Sequence, residues 1–255
     1  MEYDEAVAQL RAAGCVFAEE EAQLLLADGR EPLALLTRRV AGEPLEQVLG
    51  WAAFLGLRLV VAAGAFVPRR RTELLATEAI RRLPPGGVAV ELCCGVAPVA
   101  AAILAASPRA EVWAADADPA AVALARRNLP AGNVVEGDLF APLPATLRGR
   151  VDVLAANTPY VPSDEVRLLP PEARDHEPLT TLDGGPDGLA LLRRIASVAT
   201  EWLAPRGHLL IEVSERQLPT ALEVFGSHDL DPGVARDDDL GAVVVTGQST
   251  VLRRS

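Results

Sequence analysis

Up to about residue 40, apolar side chains recur with a helical period: Ala6, Val7 and Leu10 share one face, as do Ala22, Leu25 and Leu26, with Gly14 and Gly29 as punctuation. This pattern predicts two or three short helices with too little apolar surface to fold alone, which therefore dock on a larger body. The stretch from Ala53 to Phe66 then reads as extended, a hairpin turning near Ala62-Ala63-Gly64. Pro68 ends it, and Thr72 is placed as the N-cap of a following helix.

From Gly87 the spacing alternates regularly. Strands are predicted over Val88–Leu92, Glu111–Ala115, Asn133–Glu136, Val151–Ala156, Gly207–Val213 and Ala242–Thr246. Helices fall between them over Val99–Ala106, from Pro119, over Leu189–Trp202 and near Gln217–Phe225. Strands separated by helices of this length imply a parallel, doubly wound α/β sheet, which binds ligands outside the carboxyl ends of its strands. We expect a helical accessory region over residues 1–41, a linker with a hairpin over 42–72, and the main domain over 73–255.

The candidate chemistry lies at those strand ends. Asn157-Thr158-Pro159-Tyr160 closes the apolar run Val151–Ala156. An Asn so delivered can accept one N–H of a planar amide or amine through its side-chain carbonyl, while the next backbone carbonyl accepts the other. Tyr160 can cover the flat face of the same group. Read in isolation, the tetrapeptide is better taken as a turn at the end of a strand, and the rest of the chain shifts that reading.

Glu91-Leu92-Cys93-Cys94-Gly95 ends the first main-domain strand, and Asp116 ends the second, 21 residues after Gly95. An acidic residue at that distance from a glycine loop is where α/β domains hold the ribose hydroxyls of an adenosine ligand. Asp138, in Gly137-Asp138-Leu139-Phe140, follows the third strand on the same edge, where it can accept from an adenine amino group. Asp118, before Pro119, reads as a helix N-cap. Neither G-x-G-x-x-G nor G-x-x-x-x-G-K-[ST] occurs, and the chain contains no lysine, so no phosphate-loop lysine is available. Adenosine without phosphate points to S-adenosylmethionine.

Composition narrows the classes. At 255 residues there is room for one large α/β domain and a small accessory one. A formal charge of −11 argues against a nucleic-acid partner held by phosphate contacts. No run approaches a membrane span of about 18 apolar residues, and the acidic start Met1-Glu2-Tyr3-Asp4-Glu5 is unlike a signal peptide. Cys15, Cys93 and Cys94 form neither a metal spacing nor a disulfide framework, and nothing pairs the histidines with a metal. The expectation is a soluble, cytoplasmic protein without a metal or membrane partner. Arg69-Arg70-Arg71, a tight basic cluster, is read as a solvated turn.

Taken together, these stretches resemble the protein-(glutamine-N5) methyltransferases of the HemK type, which methylate a glutamine amide in peptide-chain release factors. The likeness runs from about Gly42 to Gly247. It is carried by Gly42-Glu43-Pro44-Leu45, by Val67-Pro68-Arg69-Arg70-Arg71-Thr72-Glu73, by Asn157–Tyr160, and by Arg174-Asp175-His176-Glu177-Pro178 with Asp183-Gly184-Gly185-Pro186-Asp187-Gly188-Leu189. Pro-Pro-Tyr motifs also occur in adenine-N6 methyltransferases; the linker and the Glu-Pro and Gly-Gly runs select the glutamine family. The resemblance implies a class I S-adenosylmethionine-dependent methyltransferase fold, doubly wound around a mostly parallel seven-stranded sheet. It implies cofactor contacts from Glu91, Cys93, Gly95, Ala97, Asp116, Asp138, Leu139 and Asn157. It also implies an amide site built of Asn157, Thr158, Pro159 and Tyr160.

Three departures stand out. Thr158 replaces the first proline of Asn-Pro-Pro-Tyr, keeping the carbonyl and losing the ring. Cys93 and Ala97 replace two glycines of the cofactor loop, and Pro98 follows them. The accessory region is short for the family. The leading expectation is N-methylation of a protein glutamine, with a release factor as partner. The alternatives are a related enzyme recruited to a small amide or peptide, and a non-catalytic relative that binds a protein partner.

Overall fold

The computed structural model describes residues 1–251. The predicted N-terminal helices are α1 (Tyr3–Ala12), α2 (Ala18–Ala27) and α3 (Pro32–Val40), followed by a short α4 (Leu45–Leu49). Their shared faces close on each other: Ala6, Leu10, Leu25, Leu36 and Val48 are all fully buried in a cluster of their own. Burying each such leucine stabilises by about 1.5–3 kcal/mol, enough to hold short helices that are marginal in isolation.

A two-stranded hairpin follows, β1 (Trp51–Phe54) and β2 (Leu57–Val60). It turns at Leu55 and Gly56, both with positive φ (45° and 76°), and not near Gly64 as expected. Two left-handed residues are what a tight two-residue hairpin loop needs, because its twist then matches the strands. The main domain contains α5 (Thr72–Arg82), β3 (Val88–Leu92), α6 (Pro98–Ala106), β4 (Glu111–Asp116), α7 (Pro119–Asn128), β5 (Asn133–Glu136) and β6 (Val151–Ala156). It continues through α8 (Pro171–His176), α9 (Ala190–Trp202), β7 (Leu203–Val213), α10 (Leu218–Gly226), β8 (Leu230–Asp237) and β9 (Ala242–Ser249). Asp118 caps α7 by accepting from Ala120 N, as its place before Pro119 predicted. Thr72 does not cap α5: Arg71 takes the cap position, and the Thr72 side chain is used elsewhere.

The sheet order is β5-β4-β3-β6-β7-β9-β8, parallel from β5 to β7 and antiparallel at β9 and β8. Edge strand β8 was not foreseen, since it carries Pro232 and Gly233. One face packs under α9 and α10 through Val90, Leu92, Leu154, Ile195 and Ile211, the other under α5, α6 and α7 through Ala89, Val99, Ile103, Val153 and Leu210. The chain leaves β3 toward β4 and β5, then returns to β6 on the other side. That reversal opens a crevice above the carboxyl ends of β3 and β6. Among the described residues no helix is long and apolar enough to cross a membrane.

Candidate active site

The loop between β3 and α6 keeps a glycine-like path with side chains in it. Cys93, Gly95 and Ala97 all have positive φ (50°, 53° and 61°), although two of the three carry a Cβ. Such a conformation costs a non-glycine residue about 1–2 kcal/mol, so something must hold it. Cys94 N donates to Ala115 O at 3.1 Å, and Gly95 N donates to Asp116 Oδ2 at 2.8 Å. The other Asp116 oxygen accepts from Asp118 N at 2.9 Å. Burial raises the Asp116 carboxyl while these backbone donors pull it down. Cys93 is held as a thiol, its pKa pushed up to about 12 by burial, which removes it as a nucleophile.

Two expected cofactor residues lie elsewhere. Ala97 is fully buried at the foot of α6, its methyl turned into the core and away from the cavity. Glu91 is also buried, behind the loop, where it accepts from Val99 N and Ala100 N at 3.3 and 2.7 Å. It satisfies donors that the first turn of α6 leaves without intrahelical partners. These two bonds seat the helix on β3. Burial, acting first, raises the Glu91 pKa from 4.5 to about 8 against those two donors. A folded-state value above the unfolded one means that folding favours the protonated acid. That stabilisation is complete below the unfolded pKa and is lost as pH climbs toward 8. Relative to Glu91→Gln, the wild type should therefore lose up to about 1.4 kcal/mol per pH unit between roughly pH 5 and 8. Melting temperatures of the two proteins across that range check it.

Beyond β6, Asn157 donates from Nδ2 to Thr72 Oγ1 at 3.1 Å. Thr72 is buried, so one half of the Asn157 amide is committed to the protein. Asn157 Oδ1 and the Thr158 carbonyl accept no hydrogen bond among the described residues, and both residues line the cavity. The Arg71 guanidinium lies 5.7 Å from the Tyr160 ring. Burial, with the Glu212 carboxylate beside it, pushes the Tyr160 hydroxyl up to about 12, so it remains a donor.

The segment from Val161 to Gly188 folds back over this end of the sheet. Val161 bridges to Asp183, and Gln217 Nε2 donates to both Tyr160 O and Asp187 O. The glycines make the approach possible: a Cβ on Gly184 would lie 2.5 Å from Pro159 O, and one on Gly188 would lie 2.1 Å from Tyr160 O. Gly188 also has φ +75°. Gly188→Ala should cost about 2–3 kcal/mol and displace Tyr160. Denaturant unfolding, with Ala190→Gly as a control on the neighbouring helix, tests this.

Cys93, Gly95, Asp116, Asp138, Leu139, Asn157, Thr158, Pro159 and Tyr160 come together around one cavity of about 1010 Å³. Asp138 sits at the rim, paired with Arg194 at 2.6 Å. The arginine cluster is not a solvated turn: Arg69 and Arg71 line the same cavity. Arg69 bonds the buried Glu177 at 2.6 Å. Glu177 also accepts from Val67 N, which ties the Glu-Pro motif to the linker. Thr72 was read from sequence only as a helix cap, and Glu212 and Gln217 were not singled out; Glu212 lay inside an apolar strand.

Comparison with known proteins bears on what this cavity does. The family model for the methyltransferase small domain matches residues 69–168. A release factor glutamine methyltransferase of Mycolicibacterium smegmatis is 38% identical over 221 residues, covering 82% of this chain and 77% of that protein. A 4-amino-L-phenylalanine/4-methylamino-L-phenylalanine methyltransferase of Streptomyces pristinaespiralis is 34% identical over 197 residues, covering 74% of this chain and 67% of its own. Among solved structures, a methyltransferase from Pyrococcus furiosus shares the fold with a TM-score of 0.58 at 15% identity, over 84% of this chain and 98% of that one.

Proposed function

The chain belongs to the release factor glutamine methyltransferase family, and from that premise we propose that it methylates the side-chain nitrogen of a glutamine in a peptide-chain release factor, with S-adenosylmethionine as methyl donor. The observation that carries this reading is the pair of free acceptors at the end of β6. Asn157 Oδ1 and the Thr158 carbonyl accept no hydrogen bond among the described residues, and both residues line the cavity, which suits them to the two hydrogens of a primary amide.

The residues present fit the cofactor. Each Asp116 oxygen spends one lone pair on the loop and keeps another for ribose hydroxyls. Leu139 and Cys93 offer apolar flanks for a base, and Asp138 stands at the rim for an exocyclic amine. Arg194, the nearby cation, is already taken by Asp138, which leaves that edge suited to an uncharged ribose and unsuited to phosphate. S-adenosylmethionine, when bound, supplies an electrophilic methyl group on sulfur.

The protein's part is to aim the nitrogen. An amide delocalises its lone pair into the carbonyl; drawing both N–H groups into acceptors favours the form with density on nitrogen. The Tyr160 ring, backed by Arg71, limits where the amide plane can lie. A base is not needed before transfer, because the nitrogen becomes strongly acidic once it carries the extra methyl. Alignment of this kind can account for about 7 kcal/mol or more of barrier lowering.

Incubation with isotopically labelled S-adenosylmethionine and purified release factor tests the reading, with mass spectrometry to place the methyl group. Label on one glutamine side chain is the expected result; an unlabelled release factor would sink it. Thr158 favours a second reading. Losing the ring removes rigidity beside the clamp and adds a hydroxyl, and a relative at 34% identity carries the name of an aminophenylalanine methyltransferase. Assaying small aromatic amines and free amides alongside the release factor separates the two.

A further inference from the structure

Glu212 is a buried acid that the mechanism above leaves unused. It lies near the carboxyl end of β7, paired across to the apolar Val244 of β9, and is 1% exposed. Neither of its oxygens has a hydrogen bond of ordinary geometry among the described residues. Arg71 Nε is 3.6 Å from Oε1. The groups that face it are the hydroxyls of Thr72 and Tyr160 and the guanidinium groups of Arg71 and Arg69. Burial drives its pKa up, and those four neighbours hold the rise in check.

Thr72 gives this placement meaning. Its oxygen accepts from Asn157 Nδ2, so its own proton must point elsewhere. A threonine hydroxyl has one proton, and an ionised carboxylate can only accept. We propose that Glu212 is a positioning residue for the amide clamp: its carboxylate draws the Thr72 proton, leaves the Thr72 oxygen to accept from Asn157, and so turns Asn157 Oδ1 toward the cavity. This rests on the reading of Asn157 as the group that binds the substrate amide.

Protonation reverses the order. A neutral Glu212 can donate to Thr72, whose proton is then available to Asn157 Oδ1. The Asn157 amide turns over and presents its NH₂ to a substrate that also brings N–H groups. The clamp is thus set with Glu212 ionised and lost as pH falls.

Two measurements separate this from the substrate assignment. The first needs no substrate: the side-chain amide resonance of Asn157, assigned by its absence in Asn157→Ala, is followed by NMR from pH 5 to 9. It should move with pH in the wild type and stay fixed in Glu212→Gln and in Thr72→Val. A wild-type resonance that does not move overturns the proposal whether or not any substrate is methylated.

The second is kinetic. Glu212→Gln should lower kcat by about 10- to 100-fold, change KM less, and remove the acidic limb of the pH profile; Glu212→Asp should restore that limb in part. Unchanged kcat and an unchanged profile in Glu212→Gln overturn the proposal, and should that variant fail to fold, Thr72→Val carries the same comparison. A titrating resonance in a wild type that methylates no release factor would support the positioning role and overturn the substrate.

Discussion

Asn157→Ala should cut methyl transfer by about 10³-fold, a barrier increase of about 4 kcal/mol, while S-adenosylmethionine affinity stays within about twofold. The size follows from where the residue acts. In the proposed reading Asn157 Oδ1 is the acceptor for a substrate N–H, and its other end is held by buried Thr72 at 3.1 Å. Removing it loses both an acceptor and the orientation that acceptor imposes, and water entering the gap cannot be pre-aligned. The proposed cofactor edge, at Asp116 and Leu139 of the same cavity, loses no contact. Single-turnover kinetics with calorimetry on the same preparation checks both halves. Retention of transfer within tenfold would mean that the amide is held elsewhere.

Asp116→Ala should weaken S-adenosylmethionine binding by about 100-fold or more and lower stability by about 2–3 kcal/mol. The carboxylate accepts from Gly95 N and from Asp118 N, so it sets the loop after β3 and the entry to α7 together. Hydrogen bonds to a charged acceptor contribute about 1.5–3 kcal/mol each, and alanine leaves both donors without a partner. Asp116→Asn discriminates loop-holding from ligand-binding. Its amide can keep one backbone bond but sets an N–H against the other, so it should recover part of the stability and little of the affinity. Affinity unchanged in Asp116→Ala would place the ribose away from this residue.

Local pattern carried the sheet well and the site in part. Strand β6 falls on the predicted Val151–Ala156, and β5 on Asn133–Glu136. A fully buried parallel strand is an unbroken apolar run, and few other structures read that way. Asp116 and Asn157, which the structure brings to one cavity, could be picked out because strand ends are where such sheets place ligands. What escaped was non-local. Arg69 and Arg71 read as a solvated turn because their carboxylate partners, Glu177 and Glu212, lie more than a hundred residues away. Thr72 looked like a cap because a hydroxyl before a helix usually is one, yet Asn157 claims its oxygen. Glu91, at the end of β3, was taken for a cofactor residue through the family likeness. Its full burial, which sends it to the first turn of α6, is not visible in a one-dimensional pattern. The Asp183–Leu189 run was singled out only through a family likeness. The structure supplies its reason, since Gly184 and Gly188 lie against the clamp backbone where no side chain fits.

The loop after β3 has a consequence for how this protein can vary. In a loop whose left-handed turns are permitted by glycine, the local sequence is brittle and the surroundings are forgiving. Here Cys93 and Ala97 sit in left-handed positions that their own Cβ atoms resist, and Ala115 O and Asp116 impose the path from the neighbouring strand. The fragility has moved. Exchanging Cys93 or Ala97 for glycine should be well tolerated, whereas small shifts at the end of β4 should be damaging. A mutational scan would show this as glycine accepted in the loop beside a sensitive strand end.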